Sequence, residues 1–191
     1  MRPTRHFLPQ PALLAIALIA ACFCLLASTE ASPASTGGVG TGETAGSSTT
    51  SKPRKARLRD GKAIPPSNAP KRVRRAIAAG NRIRKKPYKW GGGHSSWNAR
   101  GYDCSGAVSY VLHGANMLSR PKTSGQLRSW GRKGRGRWIT VAANGGHTYI
   151  VVAGLRMDTS GTGGRGPRWH KRDVYTRTNG PYKLRRYNKT Y

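Results

Sequence analysis

Pro87-Tyr88-Lys89-Trp90-Gly91-Gly92-Gly93 and, a few residues on, Gly101-Tyr102-Asp103-Cys104-Ser105-Gly106 are the stretches on which the reading of this chain turns. A glycine-rich turn comes first. The apolar positions Ala107, Val108, Val111 and Leu112 then read as a helix with Cys104 at its start. A helix N-terminus presents unpaired N–H groups and partial positive charge, which favours a thiolate. Ser105 and Gly106 are small, which is expected to let a substrate carbonyl approach the sulfur. Downstream, Gly145-Gly146-His147 opens the strand-like run Thr148-Tyr149-Ile150-Val151-Val152. A cysteine at a helix start facing a histidine at a strand start supplies a nucleophile and a base.

Taken in order, Tyr88-Lys89-Trp90-Gly91-Gly92, Tyr102-Asp103-Cys104-Ser105-Gly106 and Gly146-His147 resemble the NlpC-type family of papain-like cysteine peptidases, over about residues 70 to 160. The resemblance implies an α+β, papain-like fold. N-terminal helices, with the nucleophilic cysteine at a helix N-terminus, would pack on an antiparallel sheet carrying the histidine. It implies an exported cysteine endopeptidase that hydrolyses peptidoglycan stem peptides, often between D-glutamate and meso-diaminopimelate. Tyr88, Asp103 and Ser105 match family positions that line the substrate site. By that resemblance Asp103 and Ser105 bind the free amine of an L-alanine-terminated stem, and Tyr88 helps polarise the scissile carbonyl. An anionic Asp103 suits an ammonium group, although a carboxylate beside the thiol also works against the thiolate.

The chain has five histidines. His6 falls in the N-terminal apolar segment, His94 in the glycine loop, His113 at the far end of the cysteine helix and His170 in the tail. Only His147 combines a strand start, a Gly-Gly turn and a following apolar run, so it is the expected base. If the chain reverses near Ala153-Gly154, Leu155–Thr159 returns as a hairpin partner. That sets a residue close to Asp158 opposite His147. Asp158 is therefore the candidate orienting group. Members of the family often carry a histidine or an amide there.

Outside this region the composition changes. Residues 1–31 read as a secretory signal: Arg2 and Arg5, an uncharged run from Ala12 to Ala27, then Thr29-Glu30-Ala31. Cleavage before Cys22 with lipid anchoring is the alternative. Of 3 Cys, Cys22 and Cys24 lie in this segment, which leaves Cys104 as a lone thiol in an exported chain. Residues 32–66 are poor in apolar side chains and read as a disordered Ser/Thr/Gly-rich and basic linker. Residues 67–191 form the expected peptidase domain, with no internal repeat and no second domain. Within it Asn68 is the expected cap of a helix that ends before Pro87, Gly114 the expected cap of the cysteine helix, and Tyr182 and Leu184 part of a closing strand.

The formal charge is +29, or +28 without residues 1–31, which hold Arg2, Arg5 and Glu30. So few carboxylates argue against a glycosidase or a metallopeptidase. No metal-ligand spacing is visible, and neither metal nor cofactor is expected. The partners expected are peptidoglycan stem peptides and, through charge, anionic wall polymers. No specific nucleic acid is expected, nor a membrane span after signal cleavage. The expected location is secreted or cell-wall associated. Two alternatives stand beside the peptidase: a catalytically silent basic protein binding anionic wall polymer or nucleic acid, and an amidase or transpeptidase on the same scaffold.

Overall fold

The computed structural model describes residues 55–171 and 181–189. The expected signal segment and the first part of the expected linker, to residue 54, lie outside the described residues. The last part of that linker is structured. Strands β1 (Arg57–Arg59) and β2 (Lys62–Ile64) form a hairpin around Asp60 and Gly61, both at positive φ (49° and 69°), as two-residue hairpin turns require. Backbone bonding ties it down more than apolar burial does. Ala56 N–H donates to Ala153 O at 2.8 Å, and Ala63 exchanges two 2.9 Å bonds with the Asn81 side chain.

Helix α1 (Lys71–Ile83) begins later than expected. Pro70 is its N-cap, with φ −58°, and no side chain caps it, so Asn68 does not play that part. Proline at a helix start forgoes an N–H that would be unpaired anyway. The stripe Val73, Ala76, Ile77, Ala79, Gly80 and Ile83 is buried, while the arginines between face outward or half outward. Helix α2 (Cys104–Gly114) lies against α1. Gly114 is its last helical residue rather than a cap. A Cβ there would stand 2.5 Å from the Ala79 Cβ, so the glycine serves close helix packing. Asn116, at φ 55°, is the left-handed residue beyond it. One further turn, α3 (Ser124–Leu127), is closed by a reciprocal capping box between Thr123 and Gln126.

The helices cover one antiparallel sheet. Its strands are β3 (Arg132–Lys133), β4 (Ile139–Ala143), β5 (Thr148–Val152), β6 (Leu155–Asp158), β7 (Arg168–His170) and β8 (Lys183–Arg186), in the order β3-β8-β4-β5-β6-β7. The architecture is α+β. Ile139, Val141, Ala143, Ile150, Val152, Leu155 and Met157 join the core with the helices. Ala142, Tyr149 and Val151 form a second cluster with Tyr182 and Leu184. The closing strand β8 thus exists, but it inserts between β3 and β4. β7 was not foreseen: Trp169 packs so closely on α1 that a Cβ at Gly80 would meet its ring at 2.4 Å.

Candidate active site

The β5–β6 register pairs Ile150 with Met157, Val151 with Arg156 and Val152 with Leu155. Continued outward, Asp158 falls opposite Tyr149 and His147 opposite Ser160. His147, Tyr149, Asp158 and Ser160 therefore share one side of the hairpin, two residues apart on each strand. His147 Nε2 lies 2.9 Å from Asp158 Oδ1 and 3.0 Å from Ser160 Oγ. The Ser160 N–H donates to Asp158 Oδ1 at 2.9 Å, and Arg156 Nε lies 3.5 Å from Asp158 Oδ2. Cys104 is near enough to raise the His147 pKa, and with Nε2 engaged by Asp158 and Ser160, Nδ1 is the nitrogen left to serve the sulfur. An Asn144 turn sets the ring's backbone: Asn144 Oδ1 accepts from the N–H groups of Gly146 and His147, at 3.0 and 2.7 Å.

His147 is 9% exposed. Burial disfavours its charged form, but the hydrogen bond to Asp158, the nearby Cys104 and the charges of both outweigh that. Its pKa rises from 6.5 to about 9. The imidazolium is thus the resting form at neutral pH.

Cys104 opens α2, and Asp103 caps it, accepting from Gly106 N–H at 2.7 Å. The backbone N–H groups of Cys104 and Ser105 belong to the first turn of α2, where no intrahelical carbonyl can pair them. The smallness of Gly106 has a different reason from the one expected. A Cβ there would lie 2.0 Å from Gly92 O, so the residue admits the glycine loop rather than a substrate. That loop is held by Gly92 N–H to Lys89 O at 2.9 Å and Asp103 N–H to Gly92 O at 3.2 Å. Gly91, at φ 67°, donates to Asp103 Oδ2 at 3.1 Å. Tyr102 fills the space beneath, fully buried, its hydroxyl on Trp97 O at 2.5 Å.

A cleft of about 640 Å³ opens over the sulfur, with Tyr88, Trp90, His94, Asp103, Ser105 and His147 among its walls. Tyr88 is 40% exposed and Trp90 87%, so neither is core. Burial, then the nearby Cys104 and Asp103, push the Tyr88 phenol up, and it stays a hydrogen-bond donor throughout the working range. The structure brings five of the six sequence-derived residues, Tyr88, Asp103, Cys104, Ser105 and His147, to the cleft wall, while Asp158 is buried behind it and meets it only through His147. It adds two that the sequence reading passed over. Ser160 is one; its register position opposite His147 was the available signal. His94 is the other, with Nε2 at 3.1 Å from both Asp103 Oδ1 and Ser105 Oγ. His113 is excluded by position: its ring stacks on Trp97 at 4.0 Å. Among the described residues no three His, Cys, Asp or Glu side chains gather as metal ligands would. No helix among them is long and apolar enough to cross a membrane.

Residues 85–149 match the model of the NlpC/P60 family. That stretch is similar to NlpC-type domains. The match takes in the glycine loop, Cys104 and His147, and ends before Asp158. The chain is 32% identical over 119 residues to the peptidoglycan endopeptidase RipB of Mycobacterium tuberculosis, covering 53% of this chain and 49% of RipB. It thus spans about half the length of the curated relatives it matches. Solved structures of NlpC-type proteins resemble it more loosely. A histidine variant of the resuscitation promoting factor interacting protein RipA is 25% identical, covering 61% of this chain and 62% of that one, at a TM-score of 0.46. RipD of Mycobacterium tuberculosis, described as a non-catalytic NlpC/p60 domain protein adapted to peptidoglycan binding, is 25% identical over 61% of this chain and 98% of its own, at 0.44.

Proposed function

We propose that the chain is an extracytoplasmic NlpC-type cysteine endopeptidase that hydrolyses peptide bonds in peptidoglycan stem peptides, with D-glutamyl–meso-diaminopimelate the bond the family resemblance favours. The observation that carries the reading is His147 set between Cys104 and a buried, doubly anchored Asp158. A protein that only adheres to wall polymer has no need of that chain of contacts.

His147 holds the proton taken from Cys104, and the sulfur attacks the scissile carbonyl carbon. The N–H groups of Cys104 and Ser105, with the Tyr88 hydroxyl, face the oxygen that becomes negative. The C–N bond breaks, His147 gives its Nδ1 proton to the leaving amine, and the acyl group stays on sulfur. Water then yields a proton to His147, its oxygen attacks the thioester, and the acid leaves as sulfur regains its starting state. Asp158 keeps Nε2–H in place throughout and stabilises the imidazolium.

Incubation of the protein with purified peptidoglycan or a stem tetrapeptide, with and without an added acceptor amine, followed by mass spectrometry, tests this reading. A pair of fragments whose masses sum to substrate plus water supports it and identifies the bond. Release of an intact stem would mean an amidase, and a product joined to an added amine a transpeptidase. Retention on the wall is a separate part of the proposal. A charge of +28 beyond residue 31 attracts polymers bearing phosphate or carboxylate, and that attraction is screened over roughly 10 Å at 0.1 M salt. Sedimentation with whole walls is expected to fall steeply as salt rises, while turnover of a small soluble peptide largely persists. Salt-indifferent wall binding would rule out charge as the means of retention.

A further inference from the structure

The family resemblance gives Asp103 and Ser105 the free amine of a stem peptide. In this chain that carboxylate is already largely occupied. Oδ1 receives Gly106 N–H at 2.7 Å, Ser105 Oγ–H at 3.1 Å and His94 Nε2 at 3.1 Å. Oδ2 receives Gly91 N–H at 3.1 Å. An ionised carboxylate has about four lone-pair positions, two on each oxygen; three donors crowd Oδ1 and one sits on Oδ2, so Oδ1 is saturated and a single Oδ2 position is left. Asp103 is itself 8% exposed. The donors are not equally free to leave. Gly106 N–H is the capped first turn of α2, Gly91 N–H is fixed by the loop at φ 67°, and Ser105 rides on the helix. His94 is a side chain on a loop, 25% exposed, and lines the cleft. The same Nε2 lies 3.1 Å from Ser105 Oγ, so one imidazole edge covers both groups assigned to the amine and its single hydrogen is shared between them.

An ammonium arriving there would bring a positive charge and three donors to a carboxylate with one position left and a serine already covered by His94. Left unpaired in a partly closed site, it would lose hydration without return. An acylated nitrogen carries no charge and one N–H, and asks for far less. We infer that His94 is a specificity-determining residue that fills the ammonium position over Asp103 and Ser105, so that the cleft selects stem peptides whose amino end is acylated over those with a free amine. This rests on the proposed endopeptidase reading for its substrate class. It turns on a histidine to which neither the motif nor the proposed mechanism gives a part.

The test is binding, separated from turnover. Folded Cys104→Ala protein is titrated by calorimetry with L-alanyl-γ-D-glutamyl-meso-diaminopimelate, as the free amine and as its N-acetyl derivative. The N-acetyl form is expected to bind about ten-fold tighter or more. Adding His94→Ala should collapse that ratio to near parity by improving the free amine. Adding His94→Gln, which keeps an N–H donor in a similar place, should retain much of it. A purely structural role for His94 would weaken both peptides alike and leave the ratio unmoved, and that result overturns the inference. Tighter binding of the free amine while His94 is present overturns it too, as does binding of neither peptide. Turnover by the wild-type protein distinguishes the two readings. Equal hydrolysis of both peptides removes the selectivity and keeps the peptidase. An acetyl preference in binding with no fragments released removes the peptidase and keeps the assignment of His94.

Discussion

Two imidazole–carboxylate pairs flank Cys104 at nearly the same separation, 2.9 Å for His147–Asp158 and 3.1 Å for His94–Asp103. They are built differently. His147 and Asp158 project from adjacent strands, with side chains 11% and 3% exposed, and Arg156 and the Ser160 backbone pin the carboxylate from behind. His94 sits on a loop and Asp103 caps a helix, at 25% and 12%. In the first pair the carboxylate exists for the imidazole, and the imidazole faces the sulfur. In the second the carboxylate exists for the helix and the loop, and the imidazole covers what remains of it. Equal distances thus carry unequal chemistry. What separates them is which partner is already committed elsewhere.

The largest expected effects put that contrast at risk first. Cys104→Ala should abolish hydrolysis with the circular dichroism spectrum unchanged. His147→Ala should lower kcat by roughly 10² to 10⁴, the usual range for losing a general acid–base. His94→Ala should cost less than about ten-fold in kcat on an acylated peptide, since it removes no proton-transfer group. Comparable losses from the two histidine variants would mean that both pairs act on the sulfur, and the distinction between them would go.

Asp158→Asn comes next and is read through pH. His147 rises from 6.5 to about 9 in the folded protein, which corresponds to roughly 3 kcal/mol at 1.36 kcal/mol per pH unit. A histidine whose folded pKa is raised contributes stability that is complete below the unfolded value and is lost as pH rises through the folded one. The stability gap between wild type and Asp158→Asn should therefore be widest below about 6.5 and close by pH 9 to 10, and it measures the part of that rise that comes from Asp158, since Cys104 supplies the rest. Urea melts across that range measure it. The alkaline limb of kcat should also move down in pH, because the imidazolium then loses its proton sooner. A gap that grew with pH would contradict the assigned ion pair.

How much of this was legible in the sequence follows the same division. Cys104, His147 and Asp158 are ordered by short-range pattern: a helix start, a strand start and a hairpin of known register. Tyr88 and Ser105 follow from motif position. The role of His94 does not, because its partners depend on how the loop of residues 87–93 folds back over α2, which no periodicity encodes. The hairpin at β1–β2 was read as linker for a related reason. Its anchors are the side chain of Asn81 and the carbonyl of Ala153, far away in sequence, and its own residues are too polar to announce burial. Gly106 and Gly114 were legible as small residues but not as contacts, since the atoms that need the space belong to Gly92 and Ala79.

Gly106→Ala tests the looser pair without touching either histidine. The new Cβ would meet Gly92 O at 2.0 Å, and backbone cannot yield as a side-chain tip can. Overpacking of this kind costs about 1–3 kcal/mol and should push the loop bearing His94 away from Asp103. The N-acetyl preference should weaken along with stability. Gly145→Ala is the control: nothing lies within 4 Å of its Cβ, so it should melt as wild type does. Loss of stability with the acetyl preference intact would show that the loop and His94 move independently.

The smallest effect expected is that of Ser160→Ala, and it bears on which group orients His147. Ser160 Oγ lies 3.0 Å from His147 Nε2, almost as close as Asp158 Oδ1 at 2.9 Å. Nε2 carries one hydrogen, and the two oxygens compete for it. A carboxylate is the stronger acceptor of a charged donor, so most of the bond belongs to Asp158. Ser160 contributes in a second way that alanine preserves, because its backbone N–H holds Asp158 Oδ1 at 2.9 Å. Removing the hydroxyl alone therefore forfeits only the weaker share of one hydrogen bond, whose net worth of about 0.5–1.5 kcal/mol corresponds to roughly a two- to ten-fold fall in kcat. The alkaline limb should stay near pH 9, since the charges that raise His147 are unchanged. Paired pH–rate profiles of Ser160→Ala and Asp158→Asn decide the matter. If the serine variant moves the limb and the aspartate variant does not, then the hydroxyl is the orienting group, and the buried pair is held together by the residue opposite it in register rather than by its charge.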